Sequence, residues 1–140
     1  MKSVEEMDII ELTRELGRKL QQEDVFIKYQ LAKTAADEDE ELQELINEFN
    51  LKRIAINEKA GTDEENTEKF RELNAEMRKV YAKIMTNERM MHYNDAKDMF
   101  DAVMNRINAI ISQCADGDDP DTADFMPSCS GSCATCGGCG

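Results

Sequence analysis

The first 115 residues of this chain contain no proline and only two glycines, Gly17 and Gly61, and their apolar residues recur three or four positions apart. That spacing puts side chains on one face of an α-helix, and without proline nothing forces the helix to break. An all-α fold is therefore expected. Ile9, Leu12, Leu16 and Leu20 mark a first helix, and a second runs from about Asp24 to Ala36 with Val25, Tyr29, Ala32 and Ala36 on one side. The acidic run Asp37 to Glu41 interrupts the pattern, and Asp37 with Glu40 is spaced as a capping-box variant opening a third helix with Leu42, Leu45, Phe49 and Ile56. Gly61 sits where a C′ glycine ends a helix, and Thr62 with Glu65 has the spacing of a capping box for the fourth. Phe70, Leu73, Met77, Val80 and Ile84 line that helix. Thr86 and Asn87 offer a cap or kink before a fifth with Tyr93, Ala96, Phe100, Val103, Ile107 and Ile110.

The alternating steps predict coiled-coil-like packing at shallow angles. The expected architecture is an antiparallel helical bundle or long helical hairpin with shorter N-terminal helices, spanning residues 1–115. The apolar stripe is narrow for such long helices, so one copy is not expected to cover it all, and a homodimer through this seam is expected.

At Asp116 the composition changes. Residues 116–127 are acidic, carry both prolines and show no period, which predicts a disordered linker. Residues 128–140, SCSGSCATCGGCG, hold no large apolar side chain and cannot build a core alone. They place Cys129, Cys133, Cys136 and Cys139 as C-x3-C-x2-C-x2-C. Thiolates at this spacing can converge on one centre if the intervening backbone turns tightly, and Gly131, Gly137, Gly138 and Gly140 permit that. Two centres suit four thiolates, tetrahedral zinc and an iron–sulfur cluster. Zinc modules usually separate two C-x2-C pairs by a dozen or more residues, whereas bacterial cluster motifs pack cysteines at two- and three-residue intervals. The tail therefore reads first as a [4Fe–4S] site, second as a zinc site. Redox-labile thiols or idle cysteines are the remaining readings.

A net charge of -13 argues against direct nucleic-acid binding, which needs clustered Lys and Arg. It favours solubility and admits a basic protein partner. No stretch approaches the ~20 apolar residues of a membrane span. The acidic start from Met1 to Asp8 lacks the apolar core of a signal peptide. A cytoplasmic protein is expected, and in that reducing compartment close cysteines read as metal ligands or redox thiols before disulfides.

Cys114 continues the apolar series of the fifth helix and reads as a small core residue. His92 is the only histidine and lacks a recognisable nucleophile beside it, so packing is its expected role. Met90, Met91, Met99 and Met104 read as filler before they read as an adaptable docking face. With no Glu-x-x-His pair, phosphate loop or nucleophile elbow, the chain is not expected to be an enzyme. The alternative function from the residues is a metal-handling protein whose cysteine tail binds or carries zinc or another metal.

Several segments together resemble the YlbF/YmcA family of bacterial helical regulators. They are Leu16-Gly17-Arg18-Lys19 leading to Tyr29 and Ala32, then Asp39-Glu40-Glu41-Leu42 with Leu45-Ile46-Asn47-Glu48-Phe49, and Asn87 with Tyr93, Ala96, Phe100, Val103-Met104 and Ile107 to Ile111. The resemblance covers about residues 4–114. It implies a self-associating regulator that works by protein contact with sister YmcA-like and YaaT-like proteins. It also implies an iron–sulfur complex that engages RNase Y in mRNA maturation and influences sporulation, competence and biofilm formation. Cysteines near the C-terminus of the YlbF branch are associated with the cluster, which would fit Cys129, Cys133, Cys136 and Cys139. This tail is denser in cysteine than the sparse pattern of better-known members.

Overall fold

The computed structural model describes residues 1–127 and contains five α-helices there, α1 (Ile9–Gln22), α2 (Asp24–Asp37), α3 (Glu40–Lys59), α4 (Glu68–Thr86) and α5 (Glu88–Ala115), after a short 3-10 turn at Val4–Glu6. No strand occurs among the described residues, so the all-α expectation holds.

Side-chain caps set the boundaries. Asp8 opens α1 by accepting from the amides of Ile10 and Glu11, both at 2.9 Å, while Glu11 reaches back to the Asp8 amide. Glu23 alone separates α1 from α2, its amide donating to the Leu20 carbonyl. Asp39, not Asp37, caps α3, accepting from the Leu42 amide at 3.1 Å. The reason is reach: Asp37 is still helical, the last residue of α2.

Gly61 follows the end of α3 with φ +76°, a left-handed conformation that favours glycine. The next helix does not start at Thr62. Thr62 and Glu65 close a local turn, with the Glu65 amide on the Thr62 carbonyl and the Glu65 carboxylate on the Gly61 amide. Thr67 is the cap of α4, accepting from the Phe70 amide at 3.3 Å.

The chain divides into two compact units, Met1–Met99 and Phe100–Gly140, the second described as far as residue 127. In the first unit α3 and α4 form an antiparallel hairpin. Phe49 packs on Tyr81 with ring centroids 5.9 Å apart, and Lys52 bonds Glu76 at 2.9 Å, so the paired position moves down α4 as it moves up α3. Leu42, Val80 and Ile84 are buried there with Ala36 of α2, surrounded by half-buried Leu45, Ile46, Phe49, Met90 and Tyr93. The first half of α5 runs antiparallel to α2. Tyr93 stacks obliquely on Tyr29 at 5.8 Å, and Arg89 donates to the Ala35 carbonyl.

In the second unit α5 ends at Gly117, φ +94°, whose amide bonds the Cys114 carbonyl while the Asp118 amide bonds that of Gln113. These two bonds make a Schellman stop. The stretch that composition predicts to be disordered then turns back along α5. Arg106 grips both carboxylate oxygens of Asp124 at 3.0 and 2.9 Å, and Gln113 bonds the backbone of Asp124 through both its amide nitrogen and its oxygen. Ala123 is buried beside this clamp. Low apolar content predicts no core, but a bidentate ion pair plus two backbone bonds hold a strap without one.

Candidate functional site

The predicted ligands Cys129, Cys133, Cys136 and Cys139 lie outside the described residues. Among the described residues no group of three His, Cys, Asp or Glu side chains is placed to hold a metal ion. Cys114 is a free, half-buried thiol near the end of α5. His92 lines an open groove of about 260 Å³ between α2 and α5, with Val25, Ala32, Ala96 and Met99 as its apolar wall and Lys28 and Asp95 at the edge. The four methionines do not form one face: Met90 packs toward the hairpin core, Met104 is half-buried, and Met91 and Met99 are exposed.

The structure does gather one polar cluster that the sequence reading leaves in pieces. Asn87, the lone residue between α4 and α5, caps α5 by accepting from the Met90 amide at 3.0 Å. Its amide nitrogen donates to Asp39 at 3.3 Å, so the cap of α5 is tied to the cap of α3. Gln43 donates to the Ala36 carbonyl at 3.0 Å, and Arg89 to that of Ala35, tying down the end of α2. The Leu42 amide holds the Asp39 carboxyl below its ordinary range, with Asn87 and the charge of Arg89 adding to the effect against partial burial. A hydrogen bond with Tyr29 raises the Tyr93 phenol, and desolvation acts in the same direction. This knot joins four helices and presents no paired acid and base. Asn87 was legible as an N-cap three residues before Met90. Its bond to Asp39, 48 positions away, was not.

Charge is distributed unlike the acidic face that the total admits. The five helices hold sixteen acidic and sixteen basic residues, and the excess acid lies in the connectors, where only Lys2 opposes it. The helices are therefore balanced surfaces with exposed apolar residues. Ile9, Ile10, Ile27, Leu31, Leu51, Ile54, Met91 and Met99 are all exposed. Among the described residues no helix is long and apolar enough to cross a membrane.

Five helices, four of them with side-chain N-caps, a small core and charge-balanced faces carrying apolar side chains define an all-helical protein whose notable surfaces suit contact with other proteins. The chain belongs to the YlbF/YmcA family: a family model described as "Control of competence regulator ComK, YlbF/YmcA" matches residues 9–114. The matched span runs from the first residue of α1 to one residue short of the end of α5, and the strap and cysteine tail lie beyond it. The family is one of regulators. No curated protein and no solved structure matches the chain.

Proposed function

We propose that this protein is a non-enzymatic regulatory adaptor in an iron–sulfur-containing complex that influences RNase Y-dependent mRNA processing and, through it, sporulation, competence and biofilm development. The observation that carries this reading is the family match across all five helices, to a family described as controlling the competence regulator ComK. The exposed apolar positions on those helices support action by contact. They also support a homodimer, alongside sister YmcA-like and YaaT-like partners. The adaptor works in the cytoplasm, where reduced thiols persist.

Cys129, Cys133, Cys136 and Cys139 are the residues that would hold a [4Fe–4S] cluster. What supports this is donor chemistry: four thiolates at two- and three-residue intervals, among glycines that permit tight turns. A bound cluster would make the complex sensitive to iron and oxygen.

The test is anaerobic purification of the full chain and of a version ending at Pro127, with visible absorbance and iron and sulfide analysis. Brown, oxygen-labile colour in the full chain alone is the expected result, and Cys133→Ser with Cys136→Ser should abolish it while leaving helicity unchanged. Stoichiometric zinc in a colourless protein, even after reconstitution with iron and sulfide, would replace the cluster with a metal-handling tail.

A further inference from the structure

The segment after α5 buries only Ala123, yet it returns along the helix in a defined register. Gln113 clasps both ends of the return. Its backbone carbonyl accepts from the Asp118 amide at 3.0 Å. Its side chain accepts from the Asp124 amide at 3.3 Å and donates to the Asp124 carbonyl at 2.6 Å. Between these ends Asp119 shapes a turn, taking the Asp121 amide on its carboxylate and the Ala123 amide on its carbonyl.

Arg106 then locks the carboxylate of Asp124. It is the only Lys, Arg or His from residue 100 to residue 140, while residues 116–127 carry five aspartates. Coulomb attraction alone does not choose among five carboxylates; the two bonds from Gln113 to the Asp124 backbone do. Both members of the ion pair are well exposed, at 64% and 42%, so the pair is weak by itself and the return can open without disturbing the helix.

We propose that this strap is a latch for the cysteine tail, with Arg106 and Gln113 as the positioning residues that make the tail leave the protein beside Arg106 instead of beyond the end of α5. The inference rests on the reading of Cys129, Cys133, Cys136 and Cys139 as a thiol site, and is the same for iron–sulfur or zinc. Chain length gives the consequence. Cys129 follows Asp124 by five residues, which keeps it within roughly 17 Å of the clamp; counted from Gly117, with the strap open, twelve residues reach roughly 40 Å. The closed latch confines the first thiol to one flank of α5, and a centre held by the tail is offered to a partner there.

That flank is what the test reads. Ala102 is exposed one turn before Arg106 on the strap side, and Asn108, also exposed, lies on the opposite side of the helix. In the full chain with Cys114, Cys133, Cys136 and Cys139 replaced by serine, Cys129 is paired in turn with Ala102→Cys and with Asn108→Cys. Equilibration against reduced and oxidised glutathione, scored on the product of single-chain mass, gives the effective concentration of each thiol pair. Capture through Ala102→Cys is expected to exceed capture through Asn108→Cys severalfold. Removing both clamps, Arg106→Ala with Gln113→Ala, should lower the Ala102→Cys value about fourfold, following the −3/2 power of a tether lengthened from five residues to twelve. The two positions should then become level, while helicity by far-UV circular dichroism does not fall. Equal capture at both positions in the clamped chain, or a preference that survives loss of both clamps, would overturn the latch. Neither result touches the metal reading, which is decided on the chain with its four tail cysteines intact.

Discussion

The α3–α4 hairpin and helix α1 solve the same problem in opposite ways. In the hairpin the apolar stripe is diffuse along α3, yet Leu42 is 1% exposed and Val80 and Ile84 are buried against it. In α1 the stripe is sharp and nothing is buried. An apolar stripe identifies which face of a helix seeks cover but not whether the same chain provides it. The hairpin gains its cover from a turn that returns α4 along α3 in a fixed register. α1 is followed by a single-residue corner at Glu23, and α2 turns Tyr29 and the Ala35 carbonyl to α5.

The difference is broken most directly by truncating one leucine in each region. Leu42→Ala removes the most deeply buried side chain and should cost about 2–5 kcal/mol by chemical denaturation. Leu16→Ala, on the open face of α1, should cost under about 1 kcal/mol at concentrations where the chain is monomeric. Equal losses would mean that α1 belongs to the same cooperative core.

Next in size is the knot that fixes the helices around the hairpin. Asn87→Ala removes the α5 cap and the bond to Asp39 together, and should cost about 1–2 kcal/mol, as lost caps do. Thermal melting of this variant beside Thr67→Ala, which removes only a local cap, separates the two contributions. A difference within error would show that the Asp39 bond adds nothing.

Asp39 makes the same knot sensitive to acid. Its carboxyl is held below the ordinary value of 3.8, chiefly by the Leu42 amide, so the charged form is the one the folded state favours. Its contribution is complete above the unfolded value and is lost as pH falls through the lower folded value. Asp39→Asn should therefore show a shallower loss of stability on acidification below about pH 4 than the parent. Parallel acid limbs, measured by denaturation at a series of pH values, would remove Asp39 from that transition.

How much of this was legible follows the same divide. Helix existence could be read from spacing, because burial on one face imposes a 3.6-residue period whatever provides the cover. Gly61 was readable because only a left-handed turn needs it there. Caps were read less well: Asp37 competed with Asp39 and Thr62 with Thr67, since short polar residues near a helix start look alike until the first free amide is located. The strap was missed because composition averages over a segment, while two polar clamps, Arg106 and Gln113, hold it at one residue, Asp124. Gly117 was the available signal, a glycine just past the last helical residue of α5. The cysteine ligands could be read as a pattern alone, and they fall outside the described residues.

The smallest effect sharpens the comparison most. Gly17 is a helix-interior glycine in open space, so Gly17→Ala should stabilise α1 by about 0.5–1 kcal/mol through backbone entropy alone. If α1 opens independently of the hairpin, the gain appears as slower amide exchange across residues 13–21, while the denaturation midpoint of the monomer stays where it was. If instead the midpoint rises by the same amount, α1 unfolds with Leu42, Val80 and Ile84 as one unit. The exposed face would then be an open side of a single core, no longer a separate arm awaiting a partner. Only the first result leaves α1 free to gain its stability on assembly.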